Sequence, residues 1–197
     1  MKLWTIQPIK FYYNLISDGE IHSSEKYADS DFNQAYKWII KQMENRIGEK
    51  PSKNSYPIWA WYQYKNIKAK KPDLRGSGFL PKGTKGVRIE FEKPKNEVLL
   101  SDFYLWHFPL NYWYIADNEK QESEFDKLLK DSKIEFMHKE KYPLELRMIV
   151  ENSWNKIFDM SYDCDYVTEN FNNKKIQATF WSLKTSEITK IDFFNAK

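Results

Sequence analysis

The segment from Lys65 to Gly86 gathers the side chains best suited to holding an anion. Lys65, Lys68, Lys70, Lys71, Arg75, Lys82 and Lys85 stand there against a single acid, Asp73, and four of the chain's 6 glycines fall between Asn66 and Gly86. Glycine lets backbone N–H groups approach an anion, and the Arg75 guanidinium can grip a phosphate through two parallel hydrogen bonds. The spacing holds no GxxxxGK[ST] run, so it is not a phosphate loop of the nucleoside-triphosphatase kind. Without a ligand the same stretch reads as a solvated lysine loop. Its local excess of positive charge exceeds the formal net charge of +3 for the whole chain. A nucleotide or nucleic acid is therefore expected at this place rather than over the surface at large.

Aromatic side chains supply a second constellation: Trp59, Trp61, Trp106, Trp113 and Trp181. They can stack bases or pack a core, and each indole N–H needs a partner if buried. Gln63 and Gln177 stand among aromatics on expected strands, where two amides could bracket the edge of a base or a nicotinamide. His107, between Trp106 and Phe108, is either a general base or ligand or a hydrogen-bonded structural histidine. Three dispersed histidines and one cysteine make no zinc pattern. Cys164 lies between Asp163 and Asp165, whose charges oppose formation of a thiolate nucleophile.

The elements that must position these groups follow from periodicity. A short strand at Leu3–Gln7 ends at Pro8, a helix covers Ile9–Asp18 up to Gly19, and Glu20–Ser24 adds a brief strand. Asp29, Ser30 and Asp31 offer caps to a helix whose apolar face is Phe32, Ala35, Tyr36, Ile39, Ile40, Met43 and Ile47, with Gly48 at its end. Tyr56–Lys65 reads as a central strand aromatic on both faces. The loop 66–86 follows, long enough to be functional or disordered. Val87–Glu92 alternates as a half-buried strand, a turn falls at Pro94–Asn96, Glu97–Leu100 is a second strand, and Ser101-Asp102 opens an aromatic helix. Asp102 there suits the N-terminal dipole. Helices at Ser123–Lys130 and Leu144–Phe158 precede an irregular 159–173. The chain closes with a strand at Lys175–Leu183, a turn at Thr185–Glu187 and a strand at Ile188–Phe194. Strands and helices without a βαβ rhythm predict an α+β fold, a mixed or antiparallel sheet flanked by helices.

With 197 residues and 41% hydrophobic content, one domain over 1–197 can bury roughly 70% of its unfolded surface. No apolar run nears the ~18 residues of a membrane span. MKLWTIQP lacks the core and cleavage site of a secretory signal, and the single Cys164 favours a reducing compartment, so a cytoplasmic location is expected.

Four blocks carry a resemblance: KLWTIQ at 2–7, YPIWAWYQ at 56–63, the stretch 86–111 with VLLSDF and LWHFPLN, and IQATFWSLKTSEITKI at 176–191. Together they resemble a bacterial family described only as a domain of unknown function, number 3841, which implies a single cytoplasmic domain and no assigned activity. More distantly, LWTIQPIKFYYNLISDGEI resembles the strand–helix–glycine opening of ADP-ribosyltransferase-like domains. That likeness implies NAD as cofactor, with Thr5 and Gln7 where those domains hold the ribose or phosphate, and Gln177 where they place a catalytic glutamate. A glutamine keeps the hydrogen bond to the ribose but not the charge that stabilises an oxocarbenium-like transition state. Such chemistry would then need another acid, Glu90 or Asp102. Two readings result: a nucleotide-using protein of ADP-ribosyltransferase-like build, and a non-catalytic module whose basic loop engages nucleic acid or another polyanion, with Trp59 and Trp61 stacking.

Overall fold

The computed structural model describes residues 1–27, 30–136 and 138–197. Strand β1 (Lys2–Pro8) runs directly into helix α1 (Ile9–Asp18). Gly19 closes that helix in the left-handed region (φ 77), its N–H bonded to the Leu15 carbonyl at 2.9 Å. Glycine takes this conformation without steric cost. Strand β2 (Glu20–Ser24) follows, then helix α2 (Asn33–Ile47), which buries Ala35, Trp38, Ile39 and Met43. A 3-10 turn at Ser30–Phe32, with no side-chain cap bond, leads into α2. Asp29, the first of its expected caps, lies outside the described residues.

The aromatic run expected as one strand is two, β3 (Ser55–Tyr56) and β4 (Ile58–Gln63), separated at Pro57, which has no N–H to give to a ladder. Strand β5 (Lys85–Glu92) pairs along its length with β1. Strand β6 (Leu99–Asp102) begins and ends two residues later than its pattern suggested, and the long aromatic helix is absent. Phe103 to Trp106 form turns, and only α3 (His107–Asn111) is helical, ended by Tyr112 at φ 54. Helices α4 (Glu119–Asp131) and α5 (Leu144–Ser153) come next, a 3-10 segment at Trp154–Phe158 extending the second. The closing strands are β7 (Ile176–Phe180), β8 (Ser182–Lys184) and β9 (Ile188–Asn195).

The fold is α+β. Six strands form one antiparallel sheet in the order β6-β7-β4-β1-β5-β9, and three form a second in the order β3-β2-β8. Two stretches serve both sheets: β3 hands over to β4 at Pro57, and β7 hands over to β8 at Trp181. Trp181 is anchored there by its indole N–H on the Gly48 carbonyl at 2.9 Å.

Alternation along the strands divides the core in two. On the α1 side, Leu3, Val87, Ile89, Phe91, Ala178 and Phe180 pack with Leu15. On the other, α2, α4 and α5 close over Leu99, Trp106 and Trp181, with Trp154 fully buried at the centre. Trp154 sits edge-on to Trp38 (5.2 Å) and Tyr112 (5.1 Å), and its N–H is satisfied by the Trp113 carbonyl. Edge-to-face rings at such separations add to the stabilisation from buried area alone.

Candidate functional site

Where the two sheets meet, the six-stranded sheet opens. Strands β1 and β4 share one register position, Trp4 opposite Trp61, whereas β1 and β5 are paired from Lys2 to Pro8. Thr5 bridges the parting strands. It is fully buried, its hydroxyl donating to the Trp59 carbonyl (2.8 Å) and accepting from the Gln7 amide (2.9 Å). Beyond it lies a cleft of about 690 Å³, walled by the end of β1, one side of α1, β2, and the Tyr56–Trp59 stretch, with Tyr36 of α2. That volume is in the range of small-molecule sites, ~300–1,000 Å³.

Its walls mix aromatic, cationic and acidic groups. Tyr36, Tyr56 and Trp59 give flat apolar surface, Lys10 and Lys26 positive charge, and Asp18 and Glu20 negative charge. His22 stands on β2 with Nε2 3.9 Å from Glu20. A hydrogen bond with Ser182, helped by Lys184 and His22, holds the Glu20 carboxyl below its usual range, so it is ionised at neutral pH. Burial, with Glu25 nearby, pushes the Tyr56 phenol upward and keeps it protonated. Among the described residues, the Ser24 hydroxyl and the Trp59 indole N–H, on residues that line the cleft, are buried from solvent without a partner. A buried polar atom left unpaired costs about 1–3 kcal/mol.

Of the residues singled out in the sequence, Gln7 and Trp59 line this cleft and Thr5 lies behind them. The others lie elsewhere. Gln177 is on β7 opposite Trp61 and Ser101, half-buried, with its side-chain carbonyl oxygen unpartnered. Gln63 is fully buried, its amide donating to the carbonyls of Phe171 (2.9 Å) and Lys174 (2.9 Å) and so tying the irregular 159–173 segment to the sheet. His107 is exposed, with Nδ1 3.0 Å from the Phe103 carbonyl and 3.2 Å from that of Tyr104. Both neighbours are carbonyl acceptors, so Nδ1 is the donor in these contacts.

Asp102 is buried in an ion pair. Its Oδ2 accepts from Lys174 Nζ at 2.7 Å and from the Thr168 hydroxyl, and both charged side chains are fully buried. Oδ1 accepts from the backbone N–H groups of Tyr104 (2.9 Å) and Leu105 (3.2 Å), capping the turns that replace the expected helix.

The basic segment is built into the fold. Arg88, buried beneath it, donates to the Pro72 carbonyl, and Gly83 N–H meets the Ala196 carbonyl at 2.9 Å. Lys71 faces Asp192 (3.6 Å) and Glu90 (3.9 Å). Hydrogen bonding and charge from Arg88 hold Asp192 below the usual carboxylate range. Burial pushes Glu90 upward, but bonds from Trp4 and Lys2 outweigh it and keep that carboxyl low. Arg75 is 88% exposed and spends its guanidinium on Asp73, at 2.7 Å. Lys65, Lys68, Lys82 and Lys85 are exposed.

His22, Ser24, Lys10 and Tyr56 carry no signal in spacing, since the cleft arises from a junction between sheets. The hint was Pro57, a residue that interrupts a ladder inside an aromatic strand pattern.

Residues 2–189 match the family described as a domain of unknown function, DUF3841. The chain belongs to that family. The match runs from β1 into β9, and so takes in both sheets and every wall of the cleft. No curated protein and no solved structure matches the chain. Among the described residues no group of His, Cys, Asp and Glu could hold a metal, and no helix is long and apolar enough to cross a membrane.

Proposed function

We propose that the cleft between α1, β2 and the β3–β4 stretch binds a nucleotide, with NAD the leading candidate, in a protein of ADP-ribosyltransferase-like build. The observation that carries this reading is the parting of β1 from β4 after Trp4–Trp61, which opens the sheet beside three aromatic rings. A dinucleotide such as NAD has planar rings for Tyr36, Tyr56 and Trp59, and a pyrophosphate for Lys10. Its cationic nicotinamide suits a wall that also carries Asp18 and Glu20. Gln7 is positioned to meet the ribose. Gln177 does not line the cleft, so glycosyl transfer there draws its negative charge from Glu20, which is ionised and faces the ligand space.

Thermal shift and tryptophan fluorescence with NAD, ADP-ribose and ATP test the reading. At about 100 times the dissociation constant a ligand stabilises by ~2.7 kcal/mol, a rise of roughly 5–10 °C for a chain of this size. Lys10→Ala, at an exposed position lining the cleft, should leave the stability of the free protein nearly unchanged while weakening NAD binding several-fold. No shift with any of the three ligands at millimolar concentration overturns the proposal.

A further inference from the structure

A second surface, separate from the cleft, has the chemistry of a strand-binding platform. Strand β4 changes register between Trp61 and Gln63. This bulge turns Gln63 inward and brings Tyr64 to the same side as Trp61, the two ring centres 5.0 Å apart. From there the aromatic contacts continue in both directions. Tyr64 meets Phe79 of the basic segment at 5.4 Å, and Trp61 meets Phe103 at 5.3 Å. Phe103 in turn meets His107 at 5.0 Å and Tyr104 at 5.7 Å.

These rings lie at the border of protein and water. Phe79, Tyr64, Trp61 and Phe103 are half-buried, and Tyr104 and His107 are exposed. A core would have covered them, as Trp106 and Trp154 are covered in the same molecule. Lysine flanks the strip at both ends. Lys175 Nζ stands over the Tyr104 ring at 5.1 Å and the Phe103 ring at 5.8 Å. Lys65 follows Tyr64 directly, and Lys65 and Lys68 are exposed; among the described residues neither forms an ion pair. Beside Trp61, the half-buried amide of Gln177 adds a polar group able to meet a base edge.

We propose that this strip binds single-stranded nucleic acid, with bases on Trp61, Phe103 and Tyr104 and backbone phosphates on Lys65, Lys68 and Lys175. Rings alone would suit any flat apolar partner, and lysines alone any polyanion. A run of rings with lysines at both ends matches a polymer that carries planar bases on a phosphate backbone. A duplex hides its base faces and gains nothing from the rings.

Fluorescence anisotropy tests the assignment on the full chain, using labelled oligothymidylate and oligouridylate of about 12 nucleotides, a duplex of the same length, and heparin as competitor. Both single strands should bind at low salt, more tightly than the duplex, and quench tryptophan emission. Tyr104→Ala, at an exposed position, should weaken single-strand binding roughly five- to a hundredfold with an unchanged melting temperature, and Tyr104→Phe should restore it. Lys65→Ala and Lys68→Ala should each lower the slope of log affinity against log salt by about 0.7. Equal binding of duplex and single strand, with Tyr104→Ala indifferent, would reduce the strip to a general cationic surface and overturn the proposal. So would the absence of any binding at low salt.

Discussion

At the scale of single residues, Asp102 carries the largest stake. Its charge and that of Lys174 are both fully buried, 2.7 Å apart. Removing one member of such a pair typically costs about 3–5 kcal/mol, because the survivor is left as an uncompensated buried charge. Asp102→Asn should therefore destabilise by that order, measured by urea unfolding. Asn keeps the oxygen that caps Tyr104 and Leu105, so the double variant Asp102→Asn with Lys174→Met should recover most of the loss. A cost below about 1 kcal/mol for the single variant would show that the pair is hydrated in solution. The sequence made the first half of this role legible, since an acid after a serine at the end of a strand marks the start of a turn or helix. The second half was out of reach: Lys174 is 72 residues away, in a stretch with no periodicity. Gln63 is similar. A buried amide on an aromatic strand demanded partners, but that those partners are carbonyls of the irregular segment depended on the bulge.

At the scale of elements, local pattern specified most of what the structure contains. The α1 and β2 spans agree with their expected limits, and β1, α2, β5 and β9 agree to within a residue or two at each end. Each is bounded by a residue with one physical role, such as Pro8 before α1 and Gly19 after it. Helix α4 starts at Glu119, four residues before its expected Ser123, on the Asn118 cap, and other departures fall where an element changes partner. The stretch 175–183 reads as one strand, but at Trp181 it leaves one sheet for the other, and the pull is tertiary: the indole bond to Gly48. The aromatic run after Asp102 reads as one helix, yet Asp102 Oδ1 caps turns at its start and only His107–Asn111 is helical. Strand pairing also sets a strict demand at Gly86. It lies opposite Phe194, and a Cβ there would come within 2.5 Å of the Phe194 ring and 2.8 Å of Leu80. Gly86→Ala should push that ring aside and cost about 1–3 kcal/mol, as overpacking does. Adding Phe194→Ala should remove most of the extra cost. If Gly86→Ala alone is neutral in urea unfolding, Phe194 does not cover β5 in solution.

At the scale of the whole molecule, the basic segment separates electrostatics from folding. It is secured by the Arg88 bond to Pro72, by Gly83 and Thr84 against Ala196, by Ile67 against Asn172 (2.8 Å), and by Phe79 against Tyr64. Its ion pairs belong to Lys71 and Arg75, and among the described residues Lys65, Lys68, Lys82 and Lys85 form none. Four exposed positive charges close together repel one another and contribute nothing that the anchors do not already supply. Replacing these four lysines with glutamine takes four charges from a formal net of +3 and makes the molecule slightly acidic. Surface changes of this kind usually stay within about 0.5 kcal/mol each, so the urea midpoint should barely move. Retention on a cation-exchange or heparin column should be lost, because the field that attracts a polyanion is local to this segment. A fall in stability of more than about 2 kcal/mol would mean that the lysine stems pack against the sheet and that charge here is incidental to structure. Unchanged retention would place the anion-attracting surface elsewhere on the molecule. Loss of retention at constant stability is the outcome expected of a segment whose backbone belongs to the fold and whose charge serves a partner.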